Sequence, residues 1–213
     1  GWVIAQMPEV EAALVSIDSA DGAVRALVGS FDFNRNKFNH ITQGWRQPGS
    51  SFKPFIYSAA LEKGFSPATV VNDGPLFFDA GSTGSQPWEP KNYDGKFEGP
   101  MPLRRALAKS KNMVSIRVLQ AIDPQYTQQW LERFGFDPAR HPAYLTMALG
   151  AGSVTPLQMA AAYGVFANGG LQVAPRLITR ITDNRGRLVA EAPAAAVDES
   201  RRVIDARNAF VPE

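Results

Sequence analysis

The sequence predicts an α+β fold in which two terminal β-hairpins form one antiparallel sheet and a mainly helical block is inserted between them. Alternating apolar residues flank turn residues over 1–48 and 171–213, whereas helical spacing dominates 49–170. With 213 residues, 45% hydrophobic and 20% charged, the chain has room for one hydrophobic core. We therefore expect one domain, with the helical block packed against the side of the sheet.

The two hairpins are predicted from strand patterns around turn residues. Between Glu11 and Val28, A-A-L-V-S-I and A-V-R-A-L-V flank D-S-A-D-G. After Leu171, L-I-T-R-I-T and R-L-V-A flank D-N-R-G in the same way. Two segments predict irregular structure: 29–47, where Asn and Asp alternate with aromatic residues, and 65–100, which carries one possible strand at P-L-F-F-D.

The first helix is predicted from apolar residues at the spacing of a helix buried on one side, which are Phe52, Phe55, Ile56, Ala59 and Ala60. Proline is tolerated only in the first turn of a helix, so Pro54 places the start near Ser50. Gly64 is placed to end this helix.

Five further helices are predicted from periodicity and capping residues. Asp123-Pro124 forms an N-cap and N1 pair, and Thr155-Pro156-Leu157-Gln158 has the form of a capping box with proline at N1. The predicted helices are Leu103 to Lys109, Asn112 to Ala121, Asp123 to Phe134, Thr155 to Asn168, and one that begins at Ala206 and reaches Val211. An Ala/Pro connector is expected from Glu191 to Val197.

Composition excludes several classes of function. The net charge of +2 and the lack of long basic runs argue against a nucleic-acid partner. Without cysteine there is no disulfide, thiolate metal site or Cys nucleophile, and the separated His40 and His141 do not form a metal-ligand pattern. No metal or cofactor is expected, and Gly150-Ala151-Gly152 lacks the third glycine of a dinucleotide fingerprint. No apolar stretch approaches the ~18 residues of a membrane span.

The stretch R-Q-P-G-S-S-F-K-P-F, from Arg46 to Phe55, carries a possible nucleophile and base. Ser50 and Lys53 are three residues apart at a helix start, so their side chains share a face. A neutral lysine amine can take the proton of a serine hydroxyl that attacks a carbonyl. Burial among phenylalanines would lower the lysine pKa towards the required range. Spacing alone also arises by chance, so this pattern is a hypothesis.

A second constellation is S-K-N, from Ser110 to Asn112, in the break between two predicted helices. Taken alone it predicts only an inter-helix turn with Asn112 as a cap. The order is more informative, because Ser-x-x-Lys followed some sixty residues later by Ser-x-Asn is the arrangement of serine β-lactamases and penicillin-binding proteins.

Four separated segments then resemble the transpeptidase domain of a class A penicillin-binding protein. They are R-Q-P-G-S-S-F-K-P-F, W-E-P-K-N-Y, L-A-K-S-K-N-M-V-S-I and L-G-A-G-S-V-T-P-L-Q-M-A-A-A-Y-G-V-F-A-N-G-G. The resemblance covers almost the whole chain. It implies the penicillin-binding protein/β-lactamase-like fold and a D,D-transpeptidase that cross-links peptidoglycan stem peptides, is acylated by β-lactams and uses no cofactor. It also implies a location at the periplasmic face of the bacterial inner membrane, with an anchor upstream.

The resemblance also implies residue roles. Ser50 would be the acylated nucleophile, Lys53 its general base, Ser110 a proton relay or a support for Lys53, and Asn112 a partner of the substrate's side amide. The Ser50 N–H would form half of the oxyanion hole. Trp88 and Tyr93 would line the substrate cleft, although burial is the more common fate of an aromatic side chain.

One family motif, Lys-Thr-Gly, is not found before Val211-Pro212-Glu213. The sequence is therefore expected to be an incomplete transpeptidase domain that needs the remainder of that domain as a partner. Alternatives remain open: a β-lactam sensor, a D,D-carboxypeptidase or β-lactamase with the same nucleophile, and an inert structural fragment.

Overall fold

A computed structural model describes residue 6 and residues 9–83, 86–192 and 198–210. It confirms the α+β class. The strands are β1 (Leu14–Ile17), β2 (Val24–Val28), β3 (Val70–Asp73), β4 (Gly99–Pro102), β5 (Arg180–Thr182) and β6 (Leu188–Glu191). The α-helices are α1 (Lys53–Glu62), α2 (Ala80–Thr83), α3 (Leu103–Ala108), α4 (Asn112–Ile122), α5 (Pro124–Glu132), α6 (Pro156–Ala167) and α7 (Ala206–Phe210). Short 3₁₀ turns cover Gly49–Phe52, Pro138–Arg140, Leu145–Leu149 and Glu199–Arg201.

Both predicted hairpins form, but the prediction that they share one antiparallel sheet is wrong. In the described part of the chain β1 pairs only with β2, and β5 only with β6. The second hairpin is exposed along both strands, so it has no buried face to pack beside the first. The segment before the second hairpin contacts the first hairpin instead, at an isolated bridge between Ala23 and Arg176 next to an ion pair between Arg176 and Asp21 at 2.7 Å.

The segment 65–100 differs from its prediction. The expected strand at 75–79 is only an isolated bridge between Phe78 and Trp88. Two other stretches, β3 and β4, pair antiparallel with Asp73 opposite Gly99. The composition of β4, G-P-M-P, disfavours a strand, so its pairing depends on tertiary contacts that local sequence does not carry.

The helix predictions are confirmed to within a few residues. A 3₁₀ turn from Gly49 leads directly into α1, with Pro54 in its first turn. Asp123 caps α5 by accepting a hydrogen bond from the Gln125 N–H, and Thr155 and Gln158 form the reciprocal capping box of α6. The last helix ends at Phe210 in the described chain, whereas Val211 and most of the Glu191–Val197 connector lie outside the described residues.

The core is built around α1, which is buried on nearly every side. Seven of its ten residues are buried, so this helix is surrounded by protein rather than lying on the surface. Phe55 lies at the centre of an aromatic cluster, with ring centroids of Phe134, Phe136 and Phe166 between 5.0 and 5.3 Å away. Burial of these rings makes this cluster a main source of hydrophobic stabilisation. It places the first residue of α1, Lys53, inside the protein.

Among the described residues, no helix combines the length and the apolar character that a membrane crossing requires.

Candidate active site

Lys53 is the most unusual side chain of the core, because it is a buried amine without a carboxylate among its hydrogen-bond partners. The residue is 1% exposed. Its Nζ donates to the Ser110 carbonyl at 2.6 Å, the Ser110 Oγ at 3.0 Å and the Asn112 Oδ1 at 2.7 Å. The structure therefore brings together three of the residues singled out in the sequence, across more than fifty positions of chain.

Burial lowers the pKa of Lys53 to about 8, because removal from water disfavours the ammonium form. As an ammonium, the group has three N–H donors for its three acceptors. As a neutral amine, it has two donors and a lone pair. The Ser110 hydroxyl can then turn and donate to Nζ, so both protonation states keep three hydrogen bonds.

Ser50 lies in the 3₁₀ turn that precedes α1, and its residue is exposed. Side chains at i and i+3 eclipse in a 3₁₀ turn, so Ser50 and Lys53 lie on one face. Within the described residues the Ser50 hydroxyl has no hydrogen-bond partner, and the Lys53 amine contacts Ser110 and Asn112 rather than Ser50. An exposed hydroxyl without a protein partner is available to a ligand.

Ser110 adopts a left-handed backbone conformation, with φ of 52°. For a residue with a Cβ this conformation costs about 1–2 kcal/mol. The turn is held by hydrogen bonds from the Ser110 N–H to Leu107 and from the Lys111 N–H to Ala106. The geometry aims both the carbonyl and the hydroxyl of Ser110 at Lys53, so the strained residue belongs to the candidate site.

Asn112 is the first residue of α4, and both the oxygen and the nitrogen of its side-chain amide form hydrogen bonds. The Oδ1 accepts from Lys53, and the Nδ2 donates to the Lys91 carbonyl at 2.8 Å. One N–H of the amide remains for a further acceptor.

Lys111, between Ser110 and Asn112, was not singled out by the sequence analysis. It is 2% exposed, and its Nζ lies 3.3 Å from Asp73 Oδ2, 3.1 Å from Asp94 Oδ2 and 3.2 Å from Glu98 Oε1. Burial alone would lower its pKa, but hydrogen bonds with Asp94, Glu98 and Asp73 raise it. A cation at a helix N-terminus is unfavourable, and the three carboxylates offset the charge of Lys111 at the start of α4.

Backbone and side-chain contacts hold the turn that carries Ser50. Gly49 donates from its N–H to the Gly150 carbonyl at 3.3 Å, and the Tyr163 hydroxyl donates to the Ser51 carbonyl at 2.6 Å. The Ser51 hydroxyl donates to the Pro48 carbonyl at 2.6 Å. These contacts fix the turn that presents Ser50 at the surface.

Trp88 and Tyr93 occupy different environments. The indole of Trp88 stacks on Phe78 with centroids 5.4 Å apart and packs against the core. Tyr93 is fully exposed and follows Asn92, whose side chain accepts from the Asn112 N–H at 2.8 Å. A role of either ring in ligand binding stays a prediction.

The two histidines contact residues outside the cluster of Lys53, Ser110 and Asn112. His40 Nε2 lies 2.7 Å from Glu11 Oε2. His141 is buried and stacks on Phe52 with ring centroids 4.9 Å apart, and burial lowers its pKa.

Comparison with known proteins identifies relatives of the chain. The sequence model described as "Penicillin binding protein transpeptidase domain" matches residues 12–209. Penicillin-binding protein 1A of Neisseria gonorrhoeae is 51% identical over 99% of the chain, which corresponds to 26% of that relative. The crystal structure of penicillin-binding protein 1A from Haemophilus influenzae superposes with a TM-score of 0.91 at 38% identity, covering 99% of the chain and 35% of the relative. Mycobacterium tuberculosis PonA1 in complex with penicillin V gives 0.78 at 26% identity, covering 94% and 55%. The chain thus spans about a quarter of the curated relative's length.

Proposed function

The chain belongs to the penicillin-binding protein transpeptidase domain family, and on that premise we propose that it catalyses D,D-transpeptidation of peptidoglycan through an acyl-enzyme on Ser50. The observation that carries this proposal is the set of hydrogen bonds at Lys53. One buried amine, one turn after an exposed serine, contacts both the hydroxyl of Ser110 and the amide of Asn112. A buried lysine amine close to an exposed serine is suited to act as the base of serine acyl transfer without histidine.

The proton movements follow from the protonation of Lys53. The Ser50 oxygen forms a bond to the carbonyl carbon of the D-Ala-D-Ala peptide bond, and its proton passes to the neutral Lys53 amine. The amine of the terminal D-Ala leaves when the C–N bond breaks, and it receives a proton through Ser110, whose oxygen is 3.0 Å from Lys53 Nζ. An amine from a second stem peptide then forms a C–N bond with the ester carbonyl carbon, the C–O bond to Ser50 breaks, and a proton of the amine passes through Lys53 to the Ser50 oxygen. A pKa of about 8 makes Lys53 able to accept and return a proton near neutral pH.

The negative charge on the carbonyl oxygen needs N–H donors. We assign one to the Ser50 backbone, as the family resemblance implies, and Asn112 keeps one amide N–H for the substrate's side amide. Loss of one oxyanion donor typically costs about 10²–10³ in rate, so a second donor is expected.

We assign the second donor and the anchor of the substrate carboxylate to the remainder of the domain, on a Lys-Thr-Gly strand. Support comes from the surface beside Ser51. A mainly apolar cavity of about 350 Å³ lies there, lined by Pro156, Met159 and Tyr163 of α6 and by Val154 before it. An exposed apolar surface next to the turn that carries Ser50 is suited to pack against another strand or helix.

The ligands and location of the full protein follow from the same proposal. Peptidoglycan stem peptides and β-lactams would acylate the same serine, since both present a carbonyl attached to nitrogen. PonA1, a structural neighbour, was solved with penicillin V. We place the parent protein at the periplasmic face of the inner membrane, where peptidoglycan is accessible, with its anchor upstream of the sequence.

The test is labelling of the full-length protein with a fluorescent penicillin, followed by mass mapping of the adduct. We expect one adduct on Ser50 and no labelling of Ser50→Ala, with Ser66→Ala, a change at an exposed serine outside this turn, as the control that still labels. An adduct on another residue would refute the assignment of the nucleophile.

Turnover separates the transpeptidase from the alternatives with the same nucleophile. A lipid-II-type substrate should give cross-linked product. A sensor would acylate without turnover, and a carboxypeptidase or β-lactamase would release only hydrolysed product. Either of those results would replace the transpeptidase assignment.

A further inference from the structure

Asn92 is a buried amide whose hydrogen-bonding capacity is completely used. It is 5% exposed, and its Nδ2 donates to Asp73 Oδ1 at 2.7 Å and to the Lys96 carbonyl at 2.8 Å. Its Oδ1 accepts from the Asn112 N–H at 2.8 Å and more weakly from the Met113 N–H at 3.4 Å. Four partners of a single amide fix its position and its orientation.

The acceptor side of Asn92 does the work of a helix cap. The first N–H groups of α4 have no intrahelical partner, and the residue at the N-cap position, Lys111, provides no side-chain cap. Asn92 satisfies two of these groups, the N–H of Asn112 and that of Met113, from a segment twenty residues earlier. The neighbouring Lys91 carbonyl accepts from Asn112 Nδ2, so two consecutive residues hold Asn112 by its backbone and by its side chain.

The donor side of Asn92 is anchored by Asp73. This residue is completely buried, and its second oxygen accepts from the Glu98 N–H at 3.0 Å and lies 3.3 Å from Lys111 Nζ. A buried carboxylate with three partners fixes which end of the Asn92 amide faces α4, because only Nδ2 can donate to it.

The contacts form a short chain that ends at the reactive amine. Asn92 holds the Asn112 backbone, and the Asn112 side chain holds Lys53 Nζ at 2.7 Å. Ser110, two residues earlier in the same turn, supplies the other two acceptors. A displacement of the α4 start by a fraction of an ångström therefore changes the geometry at Lys53.

We propose that Asn92 is a positioning residue for acyl transfer: with Asp73 it holds the start of α4, and through Asn112 and Ser110 it sets the position and the water exclusion of Lys53. This inference rests on the proposed function, because it concerns the reaction at Ser50. It assigns to Asn92 no contact with substrate.

The primary experiment compares Asn92→Ala with Asn208→Ala in the full-length protein. Asn208 is a matched control: it is 7% exposed and also uses both ends of its amide, accepting from Ser58 Oγ at 2.8 Å and donating to the Ser58 carbonyl at 3.0 Å. The thermal midpoint and the second-order rate constant of acylation by fluorescent penicillin are measured for both, across a range of pH. Misplacement of a catalytic group by about 1 Å can cost about 10²-fold in rate.

We expect both variants to lose thermal stability and only Asn92→Ala to lose acylation, by about 10- to 100-fold. The pH profile provides a second readout. Burial is the cause of the lowered pKa of Lys53, so a loosened turn that admits water should move the rising limb of the profile to higher pH. Lys111, the charged residue between Ser110 and Asn112, is engaged with Asp73, Asp94 and Glu98 rather than with Lys53.

The inference would be overturned if Asn92→Ala were acylated as fast as Asn208→Ala and the rising limb of its pH profile did not move. Asn92 would then contribute only to stability. Failure of the unmodified protein to be acylated at Ser50 would instead refute the proposed function. The two failures are thus distinguishable.

If Asn92→Ala does not fold, a second set of variants tests whether Asn92 positions Lys53. Asn92→Asp places a carboxylate against Asp73, whereas Asn92→Asp combined with Asp73→Asn restores one donor and one acceptor with unchanged total charge. We expect the double variant to acylate several-fold faster than Asn92→Asp. Equal rates for the single and double variants would count against the positioning role.

Discussion

Gly150 lies directly against the backbone of Gly49, the residue that precedes Ser50. Gly150 has φ of +69°, and a Cβ built on it would overlap the Gly49 carbonyl and lie 2.7 Å from the Gly49 nitrogen. The two glycines thus allow the segment before α6 to contact the turn that carries Ser50.

Gly150→Ala should damage both stability and acylation. The left-handed backbone costs about 1–2 kcal/mol with a Cβ, and the overlap must displace the turn that carries Ser50. Gly164→Ala is the matched control, because Gly164 lies within α6 and, in the described part of the chain, no atom beyond its chain neighbours and its own helix backbone lies within 4 Å of its Cβ position. That variant should gain up to about 1 kcal/mol in unfolding free energy and keep its acylation rate. Similar effects of the two substitutions would show that the close contact is not needed.

Acylation should rise with pH through the pKa of Lys53, which burial lowers to about 8. The lowered pKa means that the amine is neutral in only about a tenth of the molecules at pH 7 and in about nine-tenths at pH 9. The measurement is the penicillin acylation rate constant between pH 6 and pH 10. Lys53→Arg is the control, because arginine does not deprotonate and the rising limb should vanish with a loss of at least about 10²-fold. A midpoint near 10.5, the ordinary lysine value, would contradict a buried base.

Ser110→Ala and Ser110→Gly separate the hydroxyl from the backbone strain. Both remove the Oγ that lies 3.0 Å from Lys53 Nζ, so both should acylate about 10²- to 10⁴-fold more slowly. Only glycine relieves the left-handed conformation at φ of 52°. In urea unfolding, Ser110→Gly should therefore be about 1 kcal/mol more stable than Ser110→Ala. The opposite order of stability would contradict the assigned backbone strain.

Lys111→Met should strongly destabilise the domain, because it leaves the buried Asp73 carboxylate without its cation. Removal of one partner of a buried pair costs about 3–5 kcal/mol. Lys109→Met is the matched control: Lys109 also pairs with Glu98, at 2.8 Å, but its side chain is 43% exposed. A surface pair is worth about 0–1 kcal/mol. Equal losses in urea unfolding would mean that the Asp73 contact adds nothing.

Local chemistry accounts for the parts of this fold that could be predicted from the sequence. The capping box at Thr155 and the cap at Asp123 are formed by residues two or three positions apart, so a short window of sequence contains both partners. The same holds for the two hairpins and for the common face of Ser50 and Lys53. The resemblance of four segments to one family added the expectation that Ser110 and Asn112 belong to the same site as this serine and lysine.

The remaining features depend on residues that are distant in the chain. The Asp73 carboxylate becomes the partner of Lys111, and Asn92 becomes the cap of α4, only when β3 and β4 pair and the segment between them folds over the helix. The sequence predicts the second hairpin in the same sheet as the first, whereas the structure keeps the two hairpins in separate sheets. The prediction fails because strand patterning does not specify which edge a strand pairs with.

By itself the sequence determined where helices and hairpins begin, and which serine and lysine share a face, because those are short-range steric and hydrogen-bonding preferences. Only the tertiary structure decided that the Lys53 amine is buried and bonded to Ser110 and Asn112 instead of to solvent. The physical reason is that burial and the lowered pKa are properties of the packed environment, to which residues more than fifty positions away contribute the acceptors.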